Sequence, residues 1–208
     1  MAPITDEAIA RNLCEYGVAA DPAMCLAIQK YISVLLRWNK KIALTAITDP
    51  LDIVRFHFGE SMFGAPAVPI RKGRLADVGT GAGFPGLPLK LLVPSLDLVL
   101  IESNAKKASF LSECIRELNL TGVDVYRGRV EEIELRDPGF DFVTARALGG
   151  YAHLVTWSQS QLASGGSLVL WVGERDAIEI GKAPFFTWRT PVPITGSDRR
   201  VLLIGTQP

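Results

Sequence analysis

The stretch 77-DVGTGAGFPG-86 places four glycines, Gly79, Gly81, Gly83 and Gly86, within eight residues. Ahead of it, 74-RLADV-78 is a β-rich run, and from Pro85 onward the pattern predicts a helix. A glycine-rich turn between a first strand and its helix lies at the carboxyl edge of an α/β sheet, where ligands bind. Glycine there lets a ligand press against bare backbone. No Lys-Ser or Lys-Thr follows the glycines, which excludes a P-loop. Two spacings overlap in the loop: Gly81-x-Gly83-x-x-Gly86, which suits a dinucleotide pyrophosphate, and Asp77 leading into Gly79-x-Gly81-x-Gly83.

Outward from the loop, the chain divides into two regimes. Residues 1–64 carry helical signals. Thr5 or Asp6 caps a short helix that Gly17 ends, and 21-DP-22 sets a capping Asp before a Pro at the first helical position. Met24, Ile28, Tyr31, Ile32, Leu35 and Leu36 then recur at helical spacing and give one apolar face. A second Asp-Pro, 49-DP-50, starts a helix that runs toward Gly64, and 64-GAPAVPIRKG-73 reads as a linker. After residue 73, β-rich runs (74-RLADVG, 97-DLVLIE, 123-VDVYRG, 140-FDFVTAR, 167-SLVLWV) alternate with helices from Pro85, over 104–118 and near 150–162. That alternation calls for a parallel sheet covered by helices on both faces. The tail strands 185-FFTWRTPV and 199-RRVLLIG close it as an antiparallel hairpin. The fold class is therefore α/β, Rossmann-like, with seven strands. Its expected organisation is a helical extension over 1–64 and a ligand-binding domain over 65–208, built as one compact unit.

At 208 residues, one well-buried domain with an extension is the size limit. The 22 lysines and arginines balance 22 aspartates and glutamates, so a nucleic-acid partner must be held by local patches. The opening MAPITDEAIARNLCEYG has acids where a signal peptide needs an apolar core, and 87-LPLKLLVPSLDLVLI-101 is broken by Lys90, Pro94 and Asp97. A cytoplasmic protein without a membrane span is expected. Cys14, Cys25 and Cys114, far apart and without CxxC, read as buried thiols, and His57 and His153 are too few for a metal site.

Asp77 separates the two ligand classes of the loop. A carboxylate at the end of the first strand repels a pyrophosphate but suits S-adenosylmethionine, which carries ammonium and sulfonium cations. It can also cap the loop by accepting backbone N–H groups, and the two roles can coexist. Pro85 and Pro88 remove donors that a phosphate would use. Glu102, ending the second strand, stands where an acid receives a ribose diol, which both nucleoside cofactors possess.

With Asp77, the glycines and Glu102 together, the domain resembles class I S-adenosylmethionine-dependent methyltransferases. The segments 37-RWNKKIALTAITDP-50, 57-HFGES-61, 77-DVGTGAGFPGLPL-89, 102-ESNAKKASFL-111, 129-RVEE-132 and 145-ARAL-148 narrow this. They resemble the RsmG family, also called glucose-inhibited division protein B, which methylates N7 of one guanine in bacterial 16S ribosomal RNA. The resemblance implies cofactor contacts at Gly79, Phe84, Val130, Glu131 and Arg146, beside Asp77, Gly81, Gly83 and Glu102. It also implies basic positions at Lys106, Arg129, Arg146 and Arg199 around the active site or RNA surface. Three positions depart from the family pattern: Ala43 stands for Asn, Glu60 for Asp, and Val172 for Lys. The last removes a cation near the expected RNA.

The residues also speak to chemistry. No Asp/Asn-Pro-Pro-aromatic run follows the fourth strand, where exocyclic-amine methylation needs one, and no Pro-Cys serves cytosine C5. Guanine N7 has a free lone pair and needs placement rather than a base. Arg146 is the expected catalytic residue, holding phosphate or the cofactor carboxylate, with a salt bridge to Glu131 or Glu132 as the bland alternative. RNA contacts are expected from Arg37, Lys40 and Lys41 beside Trp38, and from Arg55, Lys106, Lys107, Arg127, Arg129, Arg199 and Arg200. The partner is then 16S rRNA or the small ribosomal subunit, met by a monomer without a metal. A nicotinamide-dependent oxidoreductase and a non-catalytic RNA-binding protein remain open.

Overall fold

The computed structural model describes residues 4–68, 70–132, 139–147, 149–197 and 199–208, with Glu131 described by its backbone only. Helix α1 (Asp6–Cys14) starts where Thr5 Oγ1 accepts from the Ala8 N–H at 3.2 Å. Helix α2 (Pro22–Asn39) is capped by Asp21, whose carboxylate accepts from Met24 N–H at 2.7 Å, with Pro22 in the first turn. Ile28, Tyr31, Ile32 and Leu35 of its apolar face are buried, while Met24 and Leu36 pack at the margin. Asp49 caps α3 (Pro50–Ile53), which passes into a π-helical turn (Val54–Gly59) and α4 (Glu60–Met62). The π turn was not legible in the periodicity, and such turns concentrate at functional sites.

The run from Gly64 is not the exposed linker its composition suggested. It forms α5 (Gly64–Ala67), and Ala65, Val68 and Ile70 are buried. Small residues serve close packing here: a Cβ on Gly64 would stand 2.4 Å from the Trp171 indole.

The sheet contains β1 (Gly73–Val78), β2 (Leu96–Glu102), β3 (Val123–Arg127), β4 (Phe140–Arg146), β5 (Leu162–Gly173), β6 (Thr187–Trp188), β7 (Val192–Pro193) and β8 (Arg200–Thr206). Its order is β3-β2-β1-β4-β5-β8-β6, with β7 also paired to β8. The first five strands are parallel and β8 runs antiparallel to β5. The strand expected over 185–192 is divided into β6 and β7, both against β8. Pro191 and Pro193 lack the N–H donors that a continuous edge ladder requires.

Alternate strand residues feed two cores. On one face Leu75, Leu98, Leu100, Trp171 and Leu202 join α6 (Gly86–Leu92), α7 (Ala105–Glu117) and the N-terminal helices in one cluster from Ile9 to Ile204. On the other, Val78, Ile101, Val143, Leu170 and Leu203 pack against α8 (Tyr151–Gln161) and α9 (Glu174–Ile180). Val172 belongs to this second cluster at 3% exposure, so its apolar side chain is absorbed by the core rather than leaving a gap in a basic surface. Cys25 and Cys114 are buried as expected, whereas Cys14 is exposed. The winding direction reverses between β1 and β4, which sets the ligand crevice beside the glycine loop.

Candidate functional site

Asp77 lies next to the end of β1 with no exposed surface. Its Oδ2 accepts the Gly86 N–H at 2.9 Å and the Thr80 hydroxyl, and Oδ1 accepts the Thr144 hydroxyl at 2.9 Å. Burial pushes its carboxyl up to about 6, against the lowering effect of these three bonds. This geometry gives Asp77 the loop-organising role. The carboxylate ties both ends of the glycine loop to the sheet and turns no atom to solvent.

Two glycines are required by space. At Gly83, with φ of +89°, a Cβ would lie 2.5 Å from Leu87 Cδ1 and 3.1 Å from Leu111 Cδ2. At Gly86 it would meet Leu100 and Asp77 at 2.7 and 2.8 Å. Glu102 holds the loop from β2: Oε2 accepts the Gly81 N–H at 2.9 Å and Oε1 the Asn104 N–H at 2.7 Å. Asn104 in turn caps α7 by accepting from the Lys106 and Lys107 N–H groups.

A cavity of about 340 Å³ opens at the carboxyl ends of β1 and β2. Gly79, Ser103, Arg129, Val130, Gly150 and His153 line it. Bare backbone at Gly79, Gly149 and Gly150 and apolar walls from Ile101, Val130 and Leu154 suit a flat purine ring, and the volume falls in the range of small-ligand sites. Of the expected cofactor residues, Gly79 and Val130 line the cavity. Asp77, Gly81, Gly83 and Glu102 shape the loop beside it. The side chain of Glu131 lies outside the described residues, as does all of Leu148. A larger cleft of about 450 Å³ lies between α8 and α9, beside Val155, Ile180 and Phe185. It lacks the glycine-loop backbone and is a separate feature.

Phe84 turns away from the cavity. Its ring stacks on His57 at 4.6 Å and meets Tyr31 and Phe58 edge-on at 5.5 and 5.7 Å. The Tyr31 hydroxyl donates to the Ala82 carbonyl within the loop. Sequence reasoning missed this clasp by the N-terminal helices, although a tyrosine on an apolar helix face needs a partner for its hydroxyl. His57 pairs through Nε2 with Thr45 Oγ1 at 2.7 Å, and burial, with Arg146 nearby, lowers its pKa to about 4.

Arg146 ends β4 and points toward the N-terminal helices. Its Nη2 lies 3.0 Å from Glu60 Oε2 and donates to the Phe56 carbonyl at 2.7 Å, while Nη1 reaches Ser61 Oγ at 3.4 Å. Glu60 is fully buried, and its Oε1 lies 2.7 Å from Arg200 Nη2. Among the described side chains the partner of Arg146 is Glu60 rather than Glu132, and the pair is internal; the Glu131 side chain lies outside them. Glu60 carries the carboxylate at the position where the resembled family has Asp.

Several expected RNA-facing cations are already committed. Arg37 pairs with Glu113, Arg55 with Glu15 at 3.9 Å, and Arg200 with Glu60. Trp38 donates its indole N–H to Glu113 at 2.8 Å and meets Phe110 edge-on. Lys106, Lys107, Arg127 and Arg129 sit at the carboxyl ends of β2 and β3, and Arg199 at the start of β8; none of them makes an ion pair among the described residues. They rim the edge of the sheet that bears the cavity.

Comparison with known proteins bears on this site. The sequence model of the family described as rRNA small subunit methyltransferase G matches residues 24–187. A ribosomal RNA small subunit methyltransferase G of Xanthomonas euvesicatoria pv. vesicatoria (strain 85-10) is 37% identical over 184 residues, spanning 88% of this chain and 84% of that protein. The protein of the same name from Xylella fastidiosa (strain M23) is 39% identical, over 82% of this chain and 80% of its own length. Among solved structures, a SAM dependent methyltransferase from Aquifex aeolicus superposes with a TM-score of 0.60 at 17% identity, covering 76% of this chain and 93% of that one. The ribosomal protein L11 methylase from Lactobacillus delbrueckii subsp. bulgaricus gives 0.61 at 16% identity, over 74% of this chain and 79% of that one. These two likenesses bear on the fold.

Proposed function

The chain belongs to the rRNA small subunit methyltransferase G family, and on that premise we infer that it transfers a methyl group from S-adenosylmethionine to 16S ribosomal RNA, at N7 of a guanine. The observation that carries the cofactor half is the cavity at the switch point, walled by Gly79, Val130 and Gly150 and shaped by a loop that Asp77 and Glu102 hold. Gly79 and Gly150 offer bare backbone, Ile101 and Val130 would hold the purine, and Ser103 with Glu102 would receive the ribose. The bound cofactor supplies an electrophilic methyl group.

Guanine N7 would take that methyl group with its own lone pair, leaving the donor as a neutral thioether, and no proton would leave the base. The protein therefore has to align and exclude rather than deprotonate. His57 fits that account, since its depressed pKa of about 4 keeps it neutral at physiological pH. The unpaired cations Lys106, Arg129 and Arg199 hold the RNA backbone, as guanidinium and ammonium groups do for phosphates. Arg146 keeps the end of β4 in place and acts through that turn. Residues 1–64 serve as an extension of the methyltransferase domain over 65–208, clasping its loop through Tyr31 and His57. No described helix is long and apolar enough to cross a membrane, and we place the protein in the cytoplasm as a monomer.

The test is methyl transfer from labelled S-adenosylmethionine onto small ribosomal subunits and onto naked 16S rRNA. Label in either supports the reading. Cofactor binding with label in neither would leave only an RNA-binding protein, and preference for NAD in calorimetry would return the oxidoreductase alternative.

A further inference from the structure

The described chain holds three non-glycine residues at positive φ: Asn119 at +50°, Ala147 at +52° and Arg199 at +62°. Asn119 follows Leu118, the C-cap of α7, a place where Asn adopts this conformation readily. The other two have no such excuse, because alanine and arginine carry a Cβ that clashes in the left-handed region. Ala147 directly follows Arg146, and Arg199 directly precedes Arg200. Both arginines converge on one carboxylate, Glu60, which has no exposed surface and faces Arg146 at 3.0 Å and Arg200 at 2.7 Å.

The two strained positions border functional ground. Ala147 begins the turn whose Gly149 and Gly150 wall the cavity. Arg199 is one of the exposed cations on the same sheet edge. Strained backbone persists only where its surroundings over-determine it. Here the fixing groups are identifiable. The Arg146 guanidinium is held by Glu60 and the Phe56 carbonyl, and the Arg200 guanidinium by Glu60, with its Nε donating to Ser197 Oγ at 2.6 Å. Glu60 is itself fixed through its backbone, whose carbonyl accepts the Trp171 indole N–H at 2.6 Å.

We propose that Glu60 is a positioning residue: a clamp that holds the turn after β4 and the turn before β8 in their strained forms, and so keeps the cofactor wall and Arg199 in register. This rests on the methyltransferase reading of the cavity. Without the clamp the turn spends most of its time relaxed, and apparent cofactor affinity falls by the fraction that remains competent.

The experiment is a calorimetric titration of the full chain with S-adenosylmethionine. Glu60→Gln should weaken binding about 5- to 100-fold, the range that this strain implies. Glu60→Asp, which retains the charge, should stay within about threefold of wild type. Ala147→Gly in the Glu60→Gln background should recover at least about a third of the lost affinity on a logarithmic scale, since glycine adopts positive φ without strain. A role in global stability alone would lower the melting temperature and leave the affinity of the folded protein unchanged. Arg200→Gln, at a partly exposed residue, removes one arm of the clamp and should weaken binding about threefold; it decides the matter if Glu60→Gln does not fold. Wild-type affinity in the folded variants, or no recovery by Ala147→Gly, overturns the clamp. Failure of the wider reading looks different: the wild-type chain binds cofactor, and the clamp effects appear in the titration, but no rRNA is labelled.

Discussion

Two buried ionisable groups on either side of the glycine loop pull stability in opposite directions with pH, and the substitution Asp77→Asn separates them. Burial raises the Asp77 carboxyl from an ordinary 3.8 to about 6. A raised acid contributes stability that is complete below its unfolded pKa and lost as pH climbs through its folded one. Its window is therefore about pH 4 to 6, with on the order of 3 kcal/mol lost on the way up. His57 behaves in the reverse sense. Its pKa falls from 6.5 to about 4, so its contribution is complete above 6.5 and disappears as pH drops through 4, again on the order of 3 kcal/mol. In wild type the two slopes nearly cancel between pH 4 and 6.5. Asparagine keeps the shape of Asp77, can still accept from Gly86 N–H and Thr80 with its oxygen, and can donate to Thr144 with its amide. It cannot ionise. Guanidinium unfolding at pH 4.5, 5.5, 6.5 and 7.5 should show wild type gaining little from these groups as pH rises, and Asp77→Asn gaining about 2–3 kcal/mol. A difference between the two proteins that stays constant within about 0.5 kcal/mol across the range would refute the assignment of Asp77 as a desolvated carboxylate.

Other substitutions probe the loop, the ion cluster and the second core. Gly83→Ala forces a Cβ to 2.5 Å from Leu87 and a left-handed alanine; unfolding titrations should show a loss of about 2–4 kcal/mol, and calorimetry weaker cofactor binding. Arg146→Ala leaves Glu60 buried with one partner and removes the donor to the Phe56 carbonyl. It should cost about 3–5 kcal/mol, or roughly 6–20 °C in melting temperature, so its activity must be read below the new transition. A loss under about 1 kcal/mol would mean that the pair is not desolvated as described. Val172→Lys places an ammonium among Ala177, Ile180 and Leu203 and should destabilise by about 2–4 kcal/mol in the same titration, whereas an unchanged melt would show that the lysine escapes to solvent.

Much of the fold was readable because local and global signals agree. Asp21-Pro22 and Asp49-Pro50 start helices where the caps predict, and the change from a helical to an alternating pattern after residue 73 marks the sheet. The loop was readable for the same reason: glycines, a preceding Asp and a second-strand Glu have fixed places in this architecture. What escaped depends on contacts distant in sequence. Glu60 meets Arg146 and Arg200 across 86 and 140 residues, and nothing in 57-HFGES-61 names those partners. The 64–73 run looks like a linker because glycine and proline are common in loops, yet here the smallness of Gly64 admits the Trp171 ring. The ring of Phe84, a residue expected at the cofactor, packs with Tyr31, Phe58 and His57, partners that lie 26 to 53 residues away in sequence. Gly149 and Gly150, which wall the cavity, carried the usable signal of a glycine pair just after a parallel strand.

The central claim is that this chain methylates N7 of a guanine in 16S rRNA. Guanine methylated at N7 carries a positive charge on its imidazole ring, which makes the base reducible by borohydride and the strand then cleavable by aniline. 16S rRNA incubated with the protein and S-adenosylmethionine, treated in this way and read by primer extension, should break at one new guanine, absent when the cofactor is omitted. Methyl label in the RNA with no aniline-sensitive position would contradict the account, because the methyl group would then sit on an exocyclic amine, a ring carbon or a ribose.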